Sequence, residues 1–248
     1  MNAFMSNLRG ATLRGTPELS AAVTRRAARA TGVLLIAVAL LAFAPVLVLG
    51  SAIGWPASLR LPAAQQLSLL HAHAAAVTTG YGLYLLYSLL VAPAMIGLAA
   101  LVFGGLQRPL AATVIAFAAL SALARAIGIL RWLTVMPALA TAHAGADATT
   151  RAQIELVFTA VTLYGGGIGE LLGVSLLMAA AVGTLSAGAL TAGTLPRPLG
   201  ALGLLVALLL AALALPAFGL PAAVPVALAV TSLSVWMLAC GLWLLWRR

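Results

Sequence analysis

Six stretches of this chain are each about long and apolar enough to cross a lipid bilayer, which takes about twenty consecutive apolar residues in a helix. They run roughly over 31–53, 80–105, 109–139, 156–190, 199–219 and 223–246. Of the 248 residues, 64% are hydrophobic and 7% are charged. Soluble domains carry about a quarter charged residues, so this chain cannot cover its surface with solvated side chains, and lipid must be its solvent. The expected fold is all-α: a polytopic membrane protein of six transmembrane helices. The first run is too long for the core of a signal peptide and reads as a retained helix.

The thirteen cations are all Arg, since the chain has no Lys, and that excludes any Schiff-base chemistry. A net charge of +9 would suit nucleic acid only if the cations clustered on a solvated face, whereas here they flank apolar runs. No nucleic-acid partner is expected; the charge reports orientation instead. With six spans, Arg9, Arg14, Arg25, Arg26, Arg29, Arg108, Arg197, Arg247 and Arg248 fall on the cytoplasmic side, and Arg60 and Arg151 outside. A seventh span over 63–79 would move Arg108, Arg197, Arg247 and Arg248 outside while the N-terminal Arg cluster stayed inside, against that bias. Both termini are therefore expected in the cytoplasm. The Ala-, Leu-, Gly- and Arg-rich composition points to a GC-rich bacterial genome and hence to a bacterial cytoplasmic (inner) membrane.

Residues 1–15 lack periodicity and read as a disordered cytoplasmic tail, leaving 16–248 as a single six-helix transmembrane domain. Thr16-Pro17-Glu18 carries a helix-start signature, with Thr16 as N-cap and Pro17 at the first position. Two more polar stretches, 63–79 and 147–163, are expected to extend the second and fourth spans onto the outer surface as helices. Kinks are expected at Pro45, Pro93 and Pro137, and beside Glu170. A faint echo pairs Arg108-Pro109-Leu110 with Arg197-Pro198-Leu199, and Ala76-Val77-Thr78 with Ala160-Val161-Thr162, as a parallel repeat of helix pairs would.

Charges at bilayer depth persist mainly where they are paired or used. Arg125, Arg131 and Glu170 meet that description, with Glu155 nearer the outer surface. A turn near Ala144-Gly145 would set Arg131 opposite Phe158 and Arg125 opposite Tyr164. Glu155 would then lie about one turn from Arg131, and Glu170 one to two turns from Arg125. Glu155, Thr159, Thr162, Gly166 and Glu170 share one helical stripe, and Ser121, Arg125, Gly128 and Trp132 share another. Arg125, Arg131, Glu155, Glu170, Trp132 and Tyr164 are thus candidate ligand contacts. Two buried ion pairs that only fix helix register are the competing reading.

Gly165, Gly169 and Gly173 form two overlapping G-x-x-x-G steps that admit a close helix neighbour. Packing inside one bundle is the simpler use, and a homo-oligomer seam through the fourth span the other. His71 and His73 lie two apart, on opposed helix faces, so no metal site is expected from them. Ser121 and Ser175 lack a nearby base, and no phosphate loop, nucleophile elbow or haem motif occurs, so no catalytic residue or cofactor is assigned. Cys240 reads as packing.

The run Gly128-Ile129-Leu130-Arg131-Trp132, continued by Pro137-Ala138-Leu139-Ala140, resembles a bacterial membrane family, domain of unknown function 4386. Glu155-Leu156-Val157-Phe158, Gly167-Ile168-Gly169-Glu170 and Leu195-Pro196-Arg197-Pro198-Leu199-Gly200 resemble its later segments in the same order, over roughly residues 110–210. Members tend to carry Gly-Glu-His-Leu-Gly where this chain has Gly169-Glu170-Leu171-Leu172-Gly173, so no role pairing that acid with an imidazole transfers. The resemblance implies a multi-helix membrane protein, marks Arg131 and Glu170 as motif positions, and implies no activity.

Three function classes follow. The leading one is binding or passage of a small anionic or lipidic ligand between the third and fourth spans, with the lipid bilayer and that ligand as partners. The second is a membrane-embedded enzyme using Glu155, His143 or Asp147 on a lipid-linked substrate at the outer interface. The third is a structural or regulatory subunit.

Overall fold

The computed structural model describes residues 17–222 and 224–246, with burial described from Thr24 onward. The tail 1–15, the Thr16 cap and the cations Arg9, Arg14, Arg247 and Arg248 lie outside the described residues. Among those described, every regular element is helical.

The elements are α1 (Pro17–Leu41), α2 (Phe43–Ile53), α3 (Ala63–Ala72), α4 (Ala74–Phe103), α5 (Pro109–Leu133) and α6 (Val135–Gly145). They continue as α7 (Ala148–Gly166), a π-helical segment (Gly167–Leu177), α8 (Met178–Ala192), α9 (Arg197–Ala212) and α10 (Val226–Trp246). Short 3-10 turns at Ala57–Arg60 and Leu215–Phe218 join α2 to α3 and follow α9.

Five helical runs are long and apolar enough to cross a membrane: Thr24–Ile53, Ala74–Phe103, Pro109–Gly145, Ala148–Ala192 and Val226–Trp246. The helix of the expected fifth span, Arg197–Ala212, has 16 residues and is shorter than that, because its last turn loosens into the 3-10 turn around Pro216.

Two of the three expected proline kinks appear, each four residues upstream of its ring. Pro45 cannot donate to the carbonyl of Leu41 and its ring crowds it, and α1 ends at Leu41. Pro137 does the same to Leu133, and α5 ends there, with Thr134 at φ −124° and ψ −73°. The Thr134 hydroxyl and N–H both donate to the Leu130 carbonyl, at 2.7 and 3.0 Å, which fastens the break to the last turn of α5. Pro93 sits inside α4, which runs unbroken from Ala74 to Phe103.

The helices enclose two cores. The larger draws on all the spanning runs and α9, and includes Leu35, Val91, Val114, Leu185, Val206 and Trp236. The second is built from α2, α3, α4, α5, α6 and α7, around Leu49, Leu67, Val77, Trp132, Met136 and Phe158. Glycines bring the first and last helices together: a Cβ on Gly32 would lie 2.9 Å from the Gly241 carbonyl oxygen. The polar residues described next lie where the two cores meet.

Candidate functional site

The site is built on the contact between α5 and the α7–π run. A Cβ on Gly128 would lie 2.7 Å from Gly169 Cα and 2.9 Å from the Gly165 carbonyl oxygen, so the two backbones touch at this point. Only residues without a side chain allow that approach.

On either side of this contact an arginine of α5 fills the notch left by a glycine. A Cβ on Gly173 would meet Arg125 Cγ at 2.7 Å, and one on Gly165 would meet Arg131 Nη1 at 2.5 Å and Cδ at 2.6 Å. The G-x-x-x-G stripe of Gly165, Gly169 and Gly173 therefore faces α5 within this chain.

This register corrects the sequence expectation. Arg131 lies at Gly165 and not at Phe158, and Arg125 at Gly173 and not at Tyr164. The turn centres on Ala146, later than Ala144-Gly145, and the break at Thr134 spoils a simple residue count along the third run. Tyr164 consequently stands 75% exposed, outside the contact.

The partners also differ from those expected. Arg125 is 4% exposed, and its guanidinium carbon lies 4.7 Å from the centroid of the Tyr87 ring on α4. Arg131 is half-buried, with its guanidinium carbon 5.3 Å from the Trp132 ring centroid. Its Nε is buried without a hydrogen-bond partner. Among the described residues, no carboxylate oxygen lies within 4.0 Å of either guanidinium, so neither expected ion pair is formed.

Glu170 is exposed on the π segment, and the cation whose field acts on it is Arg131, not Arg125. Glu155 is paired instead with His143 of α6, Nε2 to Oε1 at 3.0 Å. Arg151 adds a weak bond from Nε to the His143 carbonyl at 3.3 Å, so the residues proposed for outer-surface catalysis tie α6 to α7. Asp147 caps α7 by accepting from the Thr150 N–H at 2.8 Å, and that bond holds its carboxyl below the usual range.

The π segment begins directly after Gly165 and Gly166, where glycine weakens the ordinary α-helical ladder. Two buried hydroxyls fasten it: Ser121 donates to the Gly173 carbonyl at 2.8 Å and Ser175 to the Leu210 carbonyl at 2.8 Å. Glu170 is thus carried on a widened turn whose backbone is anchored to α5 and α9.

Aromatic rings line the α4 side. Tyr81 stacks on Trp132 with centroids 4.8 Å apart and planes at 1°. Tyr84 makes edge contacts to Trp55 at 5.9 Å and to Tyr87 at 6.1 Å. A cavity of about 10 Å³, room for one water, adjoins Tyr81, Trp132, Ser58 and Gln66. The hydroxyls of Tyr87, Ser88 and Thr162 are buried without partners.

Sequence reasoning did not assign Tyr87 to the site. The Tyr81, Tyr84, Tyr87 spacing of three was the available signal, since it puts all three on one flank of a helix. Among the described residues no group of three or more His, Cys, Asp or Glu is placed to hold a metal, and His71 and His73 are both exposed.

The family model described as "Domain of unknown function (DUF4386)" matches residues 30–247, well beyond the 110–210 over which its motifs are recognisable by eye. No curated protein and no solved structure matches the chain.

Proposed function

The chain belongs to the DUF4386 family, and from that premise we propose that it is a membrane-embedded binding protein for a ligand with an anionic head, held by Arg125 and Arg131. The observation that carries this reading is Arg125: a buried guanidinium, 4% exposed, with a tyrosine face beneath it and no carboxylate within 4.0 Å among the described residues. A buried cation without a counter-charge costs several kcal/mol, roughly, and a cation–π contact returns only about 2. Arg131 is half-buried in the other glycine notch of the same α5–π contact, and its buried Nε has no partner. A phosphate or carboxylate group supplies what both lack, and a guanidinium fork fits either one.

The proposed topology places this head near the outer leaflet. Six spans with cytoplasmic termini put Arg108 and Arg197 inside, and α9 with the 3-10 turn after it makes the fifth crossing. At 1.5 Å per residue, Arg125 stands about 24 Å and Arg131 about 33 Å above Pro109, which starts α5. The hydrocarbon core is about 30 Å thick, so the two guanidiniums straddle its outer edge. On that scale α3, α6 and the first half of α7 stand above the bilayer as outer-surface extensions, enclosing the second core. The proposed setting is a bacterial inner membrane, as the Lys-free, Arg-rich composition suggests.

The test is native mass spectrometry of protein purified in mild detergent, comparing wild type with Arg125→Gln and Arg131→Gln. A stoichiometric anionic species lost from both variants supports the reading. Equal, empty spectra from well-folded samples of all three sink it.

A further inference from the structure

We propose that the ligand's head is zwitterionic, a phosphate bearing a primary ammonium, with Glu170 receiving the ammonium while Arg125 and Arg131 hold the phosphate. This rests on the anionic-head reading above and adds a second recognition element to it.

Glu170 occupies a particular place in the register. It is one residue from Gly169, which touches Gly128, and lies between Gly165, under Arg131, and Gly173, under Arg125. The carboxylate therefore sits on the segment that carries both arginine notches, and it is exposed. An exposed carboxylate within a spanning segment is costly unless a cation meets it. Among the described residues no cation does so within 4.0 Å, although the field of Arg131 reaches it. Two guanidiniums without a carboxylate within 4.0 Å and one carboxylate without a cation within 4.0 Å are therefore distributed along one α5–π contact, with net charge +1 among them.

A purely anionic head would answer the arginines and set its own charge against Glu170. A head with a phosphate and an ammonium a few bonds apart answers all three groups. An ammonium also suits the position sterically: it is a compact donor of three hydrogen bonds, and it need not be buried to meet an exposed carboxylate. The Gly165-Gly166-Gly167 run keeps side-chain bulk off the backbone beside Arg131: a Cβ on Gly166 would meet Arg131 Nη2 at 3.8 Å. A Cβ on Gly167 would meet nothing within 4 Å.

Phosphate and ammonium together occur both in phosphatidylethanolamine and in soluble phosphoethanolamine. The experiment therefore delipidates the detergent-solubilised full chain and offers equimolar dioleoyl phosphatidylethanolamine and dioleoyl phosphatidylglycerol. A separate arm offers soluble phosphoethanolamine, and all arms are read by native mass spectrometry. Wild type is expected to favour the ethanolamine lipid about tenfold, the worth of one charge-assisted hydrogen bond, and Glu170→Gln to bring the two lipids level. Retention of phosphoethanolamine alone would keep the head-group assignment and make the source a soluble metabolite.

Equal retention of both lipids by wild type, or a preference that survives Glu170→Gln, overturns the zwitterion while leaving the anionic-head reading standing. Retention of neither lipid and no phosphoethanolamine overturns both. Gln matches Glu in shape at an exposed position, and an unchanged melting temperature in detergent confirms that the variant is folded.

Discussion

The side chain of Arg131 lies across the backbone of Gly165, so closely that a Cβ there would stand 2.5 Å from its Nη1. Three residues back, Gly128 touches Gly169 backbone to backbone. The two glycine contacts look alike in sequence and differ in what a methyl group would strike.

Gly165→Ala meets Arg131 from Cδ outward, a flexible side chain that must turn away as a whole but leaves the backbones in place, so the variant is expected to lose about 1 kcal/mol of stability. It should nevertheless weaken ligand retention, because the guanidinium is displaced. Gly128→Ala meets Gly169 Cα at 2.7 Å and forces the helices apart, a loss of about 1–3 kcal/mol. Thermal unfolding in detergent, alongside ligand retention, separates the two.

Arg125→Met tests whether the buried cation serves binding or architecture. If it is an uncompensated charge, replacing it with an apolar chain of similar length leaves the ligand-free protein as stable or raises it by about 1–4 kcal/mol, while abolishing ligand retention. An architectural ion pair predicts the opposite sign, a loss of about 3–5 kcal/mol. Denaturation of delipidated samples gives the sign.

Glu155 bonds to His143 at 3.0 Å and touches neither arginine. Glu155→Gln is therefore expected to loosen the α6–α7 connection, visible as faster amide exchange in Val135–Gly145, with ligand retention unchanged. A large drop in retention would return Glu155 to the binding site.

Asp147 gives α7 a pH-dependent start. Its carboxyl is held below the usual range by the Thr150 N–H, so the cap is fully present above the ordinary aspartate value of about 3.9 and is lost as pH falls through the lower folded value. Amide protection at Thr150 and Arg151 should fall over that acid range in the wild type. Asp147→Asn keeps an acceptor at the cap and should show no such step.

Much of this architecture is written in local patterns. The apolar windows, Pro109 at the first position of α5, and the breaks before Pro45 and Pro137 all follow from hydropathy and from what proline does to its neighbours. The glycine spacing at Gly165, Gly169 and Gly173 marks a close helix contact without naming the partner.

Register was the part that local pattern could not supply. Placing Arg131 at Gly165 depends on where the turn centres and on how the Thr134 break redirects the chain, and both are tertiary matters. The pairing of Arg125 with Tyr87 joins α5 to α4, and no period within either helix predicts it. The length of the last two runs was likewise misjudged at the edges. Residues 213–219 are apolar, yet Pro216 and Gly219 end the α-helix near Ala212.

The most direct measurement is an experimental map of the protein drawn from its own membrane in lipid nanodiscs. The account predicts non-protein density at the α5–π contact, with acceptor atoms about 3 Å from the guanidiniums of both Arg125 and Arg131. A map with no such density, in which Glu170 turns inward to pair directly with either arginine, would contradict it.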